Sequence, residues 1–117
     1  MSRSLELARG LLGRVVTVKI DRPMGSRHPI SGFLYLVNYG YVPGVIAPDG
    51  EELDAYLLGV DQPVECAEGV VVAVMHRRDD DDDKLVVVPE GVTLDDAEIV
   101  SAVAFQEQFF ASELLRC

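Results

Sequence analysis

The chain is poor in cysteine, in basic residues and in long apolar runs, and each shortage removes a class of function. It holds 2 cysteines in 117 residues, Cys66 and Cys117, with no metal-ligand spacing between them. Such a pair supplies neither a disulfide framework nor a thiolate zinc site, and it suits a reducing, cytoplasmic setting. Basic residues number 10 against 20 acidic ones, for a formal net charge of −10. A field of that sign disfavours nucleic acid and anionic membranes as the main partners. No apolar run approaches the roughly 18 residues that a membrane helix needs. The start, with Glu6 and Arg9 inside its apolar patch, does not read as a signal peptide. His28 and His76 stand apart without metal spacing and read as structural.

What is present is a one-domain chain, 1–117, without repeats or linker-like breaks. Residues 5–12 read as a short helix. Val16, Val18 and Ile20 alternate with Val15, Thr17 and Lys19, the pattern of a half-buried strand over 14–21. Proline and glycine make a loop of 22–29. Further strands are expected at 33–37, 41–45, 55–60, 69–75 and 84–88. Thr93, with Asp96 three residues on, opens a helix expected to run to about Leu115. Ile99, Val103, Gln106 and Phe110 form its inner stripe. Short strands followed by one long helix make an α+β domain.

The densest chemistry lies at the turn after Pro48, where Asp49, Glu51, Glu52 and Asp54 crowd around Gly50. Strand alternation sends Glu52 and Asp54 to one face and Glu51 and Leu53 to the other. Carboxylates converging without a counterion repel by roughly 4 kcal/mol per pair at ~4 Å and an effective dielectric near 20. A hard divalent cation removes that cost, and oxygen ligands favour Mg²⁺, with Mn²⁺ as the alternative. On its own the turn reads first as an acidic, solvated hairpin tip, and only second as a metal site. A second acidic run, Asp79 to Asp83, reads as a solvated loop at Asp80 and Asp81. Alternation places Asp82 and Lys84 on the same face.

Three ordered stretches resemble the soluble family I inorganic pyrophosphatases. Asn38-Tyr39-Gly40-Tyr41 is similar to that family's Asn-Tyr-Gly-Tyr. Asp49-Gly50-Glu51-Glu52-Leu53-Asp54 is similar to its Asp-Gly-Asp-Pro-x-Asp, and the run from Asp82 through Lys84 to Pro89 to its Asp-x-Lys-Leu-x-x-x-Pro. The resemblance implies a small five-stranded OB-like β-barrel with a long C-terminal helix packed on it. It implies Mg²⁺ held by Asp49, Asp54 and Asp82, with Asp79 joining after a local shift. It makes Glu51 the general base, Lys84 a phosphate contact and Tyr39 a phenol donor beside the metals. Pyrophosphate is then the default substrate, and a homo-oligomer the expected assembly, with Phe109, Phe110 and Leu114 as its patch.

The departures fall on the phosphate side. Glu51 replaces an aspartate and carries its carboxylate one methylene, about 1.5 Å, further out. A misplacement of about 1 Å costs on the order of 10²-fold in rate. The family's hairpin Lys, Glu and Arg have no match here, and its helix Tyr-Lys pair falls on Phe109-Phe110. Without gaps, a metal-ligand Asp falls on Arg77. Arg22 and Arg27, in the loop where the hairpin is lost, are the replacement cations, while Arg77 and Arg78 stand beside the acidic loop. Three functions follow: pyrophosphate hydrolysis, hydrolysis of another small phosphorylated substrate, or a catalytically degenerate metal- or phosphate-binding regulatory module.

Overall fold

The computed structural model describes residues 3–78 and 82–116. Asp79, Asp80 and Asp81 lie outside the described residues. The elements are α1 (Arg3–Arg9), β1 (Val15–Arg22), β2 (Asn38–Ile46), β3 (Glu52–Leu57), β4 (Cys66–Arg77), β5 (Lys84–Val88), α2 (Asp96–Glu107) and β6 (Ser112–Leu115). The sheet runs β1-β2-β3-β5-β4-β6, and a β1–β4 pairing closes the first five into a barrel. Only β3 and β5 run parallel; the other pairings are antiparallel. The 12-residue β4 is long because it serves two neighbours along one edge. Its first half pairs with β1 and its last four residues with β6.

Alternation sorts the side chains into two cores. Val18, Val42, Leu53, Ala55, Leu57, Val71, Leu85 and Val87 fill the barrel. Ala8 of α1 joins that cluster, so the N-terminal helix docks on the barrel interior. Tyr39, Tyr56, Val86 and Val88 face outward and are covered by Ile99 and Val103 of α2. Both faces of β5 are therefore buried, which explains its unbroken apolar run. Truncating a fully buried Leu such as Leu57 to Ala would cost about 2–5 kcal/mol.

Four expectations are corrected here. Helix α2 starts one residue pair later than Thr93 predicts. Asp95 is its N-cap, accepting from the Glu98 backbone N–H, while the Glu98 carboxylate accepts from the Asp95 backbone. It ends at Glu107, and residues 112–115 pair with β4 as a strand, because the edge of β4 beyond β1 needs a partner. Residues 33–37 form no strand and contribute one bridge, Arg27 to Leu34. The expected strand over 41–45 instead begins at Asn38 and carries Pro43 and Gly44 as an irregularity between Tyr41 and Ile46. Gly44 has φ +83°, in the region that glycine tolerates best.

Candidate active site

The site lies outside the barrel, where β1, β3, β4 and β5 meet the end of α2. Asn38 opens the strand that carries Tyr39 into the site. Its buried amide accepts from the Met24 backbone N–H at 3.0 Å and donates to the Gln62 carbonyl at 2.9 Å, tying two loops to β2. Gly40 is fixed by a close approach: a Cβ there would lie 1.9 Å from the Lys19 carbonyl oxygen. The motif beginning at Asn38 thus owes two of its residues to backbone geometry.

Parallel pairing sets Ala55 beside Leu85, so the preceding residues Asp54 and Lys84 are outward-facing neighbours. Lys84 Nζ donates to Asp54 Oδ2 at 2.6 Å and to Asp82 Oδ2 at 3.0 Å. The lysine side chain is 4% exposed, against 36% for Asp54 and 44% for Asp82, so the two carboxylates meet solvent over a buried ammonium. Tyr39 lies alongside. Burial first, and then the charge of Asp54 and a hydrogen bond to it, raise its phenol well above the ordinary value. It stays a proton donor throughout the neutral range.

Arg77, at the end of β4, forms the opposite wall. Its Nε and one terminal nitrogen meet the two Glu107 carboxylate oxygens at 3.1 and 2.8 Å, a bidentate pair, and its other terminal nitrogen reaches Asp82 Oδ2 at 3.4 Å. Its guanidinium lies 3.6 Å from the Phe110 ring centroid. Glu107 also accepts from the Tyr56 hydroxyl and, at 2.6 Å, from Ser112 Oγ. Gln106 donates to the Tyr56 oxygen at 2.7 Å. Burial pushes the Glu107 carboxyl up, but hydrogen bonds from Arg77, Ser112 and Tyr56 outweigh it and hold the group below its ordinary value. Burial lowers Arg77 as well, and its bonds to Glu107 reverse the direction. The pair is fully ionised at neutral pH.

These walls enclose a cavity of about 680 Å³. Arg22, Arg77 and Lys84 line it, with Asp21 and Asp54 as the lining carboxylates. Cations outnumber acids on this surface, although the whole chain carries −10. Partial burial raises the Asp21 carboxyl from its usual value, with Arg22 opposing the shift and Asp54 adding to it. The Arg22 guanidinium meets the Tyr35 hydroxyl, whose phenol is raised first by burial.

Of the residues singled out in the sequence, Asp54, Asp82, Lys84, Tyr39 and Arg22 come together here. Arg27 does not line the cavity; it donates to the Gly32 carbonyl at 2.9 Å on an exposed loop. Asp49 and Glu51 stand exposed on the hairpin tip, where Asp49 Oδ1 accepts from the Glu51 backbone N–H at 2.9 Å. Glu52 folds back to accept from Gly44 N–H at 2.9 Å. Asp79 lies outside the described residues. Among the described residues no three acidic, histidine or cysteine side chains form a group able to hold a metal alone. Asp54 and Asp82 nonetheless offer two hard oxygen donors over one basic group. Mg²⁺ is commonly held by one or two carboxylates together with substrate oxygens, so this pair fits one such ion. Leu114, expected in an assembly patch, is partly buried and packs against the outer core. Asp21, Glu107, Phe33 and Tyr35 complete the site without any signal in the sequence reading; His28, read as structural, also lines it.

The profile of the inorganic pyrophosphatase family matches residues 15–112. No curated protein matches the chain. Among solved structures, an inorganic pyrophosphatase from Ehrlichia chaffeensis superposes with a TM-score of 0.69 at 19% identity, covering 87% of this chain and 85% of its own. One from Neisseria gonorrhoeae gives 0.59 at 27% identity over 80% and 72%, and one from Thermus thermophilus 0.63 at 19% over 86% and 79%. The barrel with its closing β1–β4 pairing is the fold that these structures share with it. No helix among the described residues is long and apolar enough to cross a membrane. With the profile spanning the barrel, α2 and the start of β6, the chain belongs to the inorganic pyrophosphatase family.

Proposed function

We infer that the chain hydrolyses the phosphoanhydride bond of inorganic pyrophosphate with Mg²⁺, Mn²⁺ being the alternative ion. The observation that carries this reading is the Asp54–Lys84–Asp82 cluster on the cavity wall, two carboxylates within 3.0 Å of one ammonium. Asp54 and Asp82 would hold the ion, which when bound supplies charge stabilisation to phosphoryl oxygens and acidifies a bound water. Lys84, released from its carboxylates, turns its ammonium to a phosphate oxygen. Arg22 and Arg77 bracket the same space, and Arg77 is oriented in advance by Glu107, so little conformational freedom is lost on binding. Tyr39, neutral at working pH, donates a hydrogen bond rather than a charge.

Two carboxylates compete for the proton of the attacking water. Glu51 holds the position that the family resemblance gives the base, out on the hairpin tip. Asp21 is an exposed carboxylate on the cavity wall, raised above its usual value chiefly by partial burial, which makes it the more basic oxygen facing the cavity. Location favours Asp21. The test is a substrate panel at millimolar Mg²⁺: release of phosphate from pyrophosphate but not from simple phosphate monoesters supports the reading. Release from none of them overturns it.

A further inference from the structure

The cavity lining is of two chemical kinds. One is cationic, Arg22, Arg77 and Lys84; the other is aromatic, the rings of His28, Phe33, Tyr35, Phe109 and Phe110. A volume of about 680 Å³ lies in the range that holds drug-sized organic ligands, roughly 300–1,000 Å³. Inorganic pyrophosphate is small and charged over its whole surface, so it has no group to set against the rings. The rings pack on one another: His28 stacks on Phe33 with centroids 4.9 Å apart, and Phe33 meets Phe109 at 6.0 Å. Phe109 is 64% exposed, and among the described residues it meets no second ring. A phenylalanine left in water beside a cavity loses hydrophobic free energy until something flat covers it. The two kinds of lining touch, because Phe110 carries the Arg77 guanidinium on its face. A phosphate on Arg77 would therefore have aromatic surface within a few atoms of it.

We propose that this cavity takes a diphosphate bearing a flat aromatic group, a nucleoside diphosphate being the class that fits, with the base against Phe109 and Phe33 and the phosphates at Arg22, Arg77 and Lys84. The proposal rests on the phosphate-binding part of the function inferred above and narrows its substrate. Hydrolysis of such a ligand balances simply. Water forms a bond to the terminal phosphorus, the bridging P–O bond breaks with its electrons on the nucleoside monophosphate oxygen, and a proton is released. Stacking of a base on an aromatic side chain is worth about 5- to 150-fold in affinity.

The experiment uses the full chain with Mg²⁺ and two ligands in which a methylene replaces the bridging oxygen, so that neither is consumed. One is the methylene analogue of ADP, the other the monomethyl ester of methylenediphosphonate. Calorimetry should give the ADP analogue at least about fivefold tighter binding, and Phe109→Ala, a change at an exposed position, should bring the ratio of the two affinities toward one. Equal affinities in the parent overturn the proposal. So does an unchanged ratio in Phe109→Ala, including the case where that variant instead lowers the sedimenting mass, which makes the rings a contact between copies. Pyrophosphate turnover is measured on the same preparation. Turnover with equal affinities leaves the hydrolase reading standing and removes this one; a preference for the ADP analogue without pyrophosphate turnover does the reverse.

Discussion

Replacing Arg77 with methionine should expose how much of the fold depends on the charge pair beneath the cavity. Arg77 and Glu107 are 5% and 4% exposed, so neither charge is screened by solvent when its partner goes. Breaking a buried pair from one side costs about 3–5 kcal/mol. Arg77→Met leaves the Glu107 carboxylate with the Tyr56 and Ser112 hydroxyls, which places it at the lower end, about 3 kcal/mol. Glu107→Gln leaves the guanidinium its contacts with Asp82 and the Phe110 face, for a similar loss of about 2–3 kcal/mol. In a domain of ~5–15 kcal/mol total stability these are large fractions. At very roughly 3–5 °C per kcal/mol, each single change lowers the melting temperature by about 10 °C. The double variant Arg77→Met/Glu107→Gln buries no unpaired charge and keeps an amide oxygen to accept from Tyr56 and Ser112. It should therefore lose less than the sum of the singles, with a coupling of about 2 kcal/mol. The chain has no tryptophan, so urea unfolding is best followed by far-ultraviolet circular dichroism. Single effects below about 1 kcal/mol, or additivity within about 0.5 kcal/mol, would refute the reasoning.

Other predictions follow from the same geometry. Glu107 is held below its ordinary pKa of 4.5, so its contribution to stability is present above that pH and is lost as pH falls below it. Acid titration of Glu107→Gln should show a shallower loss than the parent. Tyr39 and Tyr56 are both raised, chiefly by burial, so they contribute stability up to about pH 10 that is lost at higher pH. Tyr56→Phe should therefore flatten the alkaline limb of the melting-temperature profile. Arg22→Ala, at the cavity wall, should raise KM for pyrophosphate several-fold, whereas Arg27→Ala should not; equal kinetics in both would return Arg22 to surface charge. Asp21→Asn should lower kcat by about 10²-fold and flatten its pH profile, with Glu51→Gln near the parent. The opposite pattern gives the proton transfer to the hairpin tip.

The barrel was legible in the sequence where strands are buried by their own neighbours. The runs at 69–75 and 84–88 are core strands because both of their faces are covered. Residues 33–37 show why alternation alone can mislead. Phe33, Tyr35 and Val37 do turn to the outer core while Leu34 and Leu36 stay exposed, so the period of two reports burial. It does not report backbone pairing. The helix was read too long for a related reason: Leu114 and Leu115 are covered, but through pairing with β4 rather than through a helical stripe. In the site, the shared face of Asp82 and Lys84 was readable from alternation, whereas Asp54 came in through the family resemblance and only the parallel β3–β5 pairing sets it beside Lys84. Glu107 was not, since an acid near a helix end looks like any solvated residue until Arg77, 30 positions away, is placed against it. Asp21 was hidden at the end of the strand read over 14–21, where an exposed acid carries no signal of its own.

The most direct measurement is the initial rate of phosphate release from pyrophosphate at neutral pH, in millimolar Mg²⁺ and again in EDTA, for the parent and for Asp54→Asn and Lys84→Met. The account predicts two phosphates per pyrophosphate in Mg²⁺, loss of release in EDTA, and rates at least about 10²-fold lower in both variants while their circular dichroism stays native. A folded parent that releases no phosphate in Mg²⁺, or variants that match its rate, would contradict it.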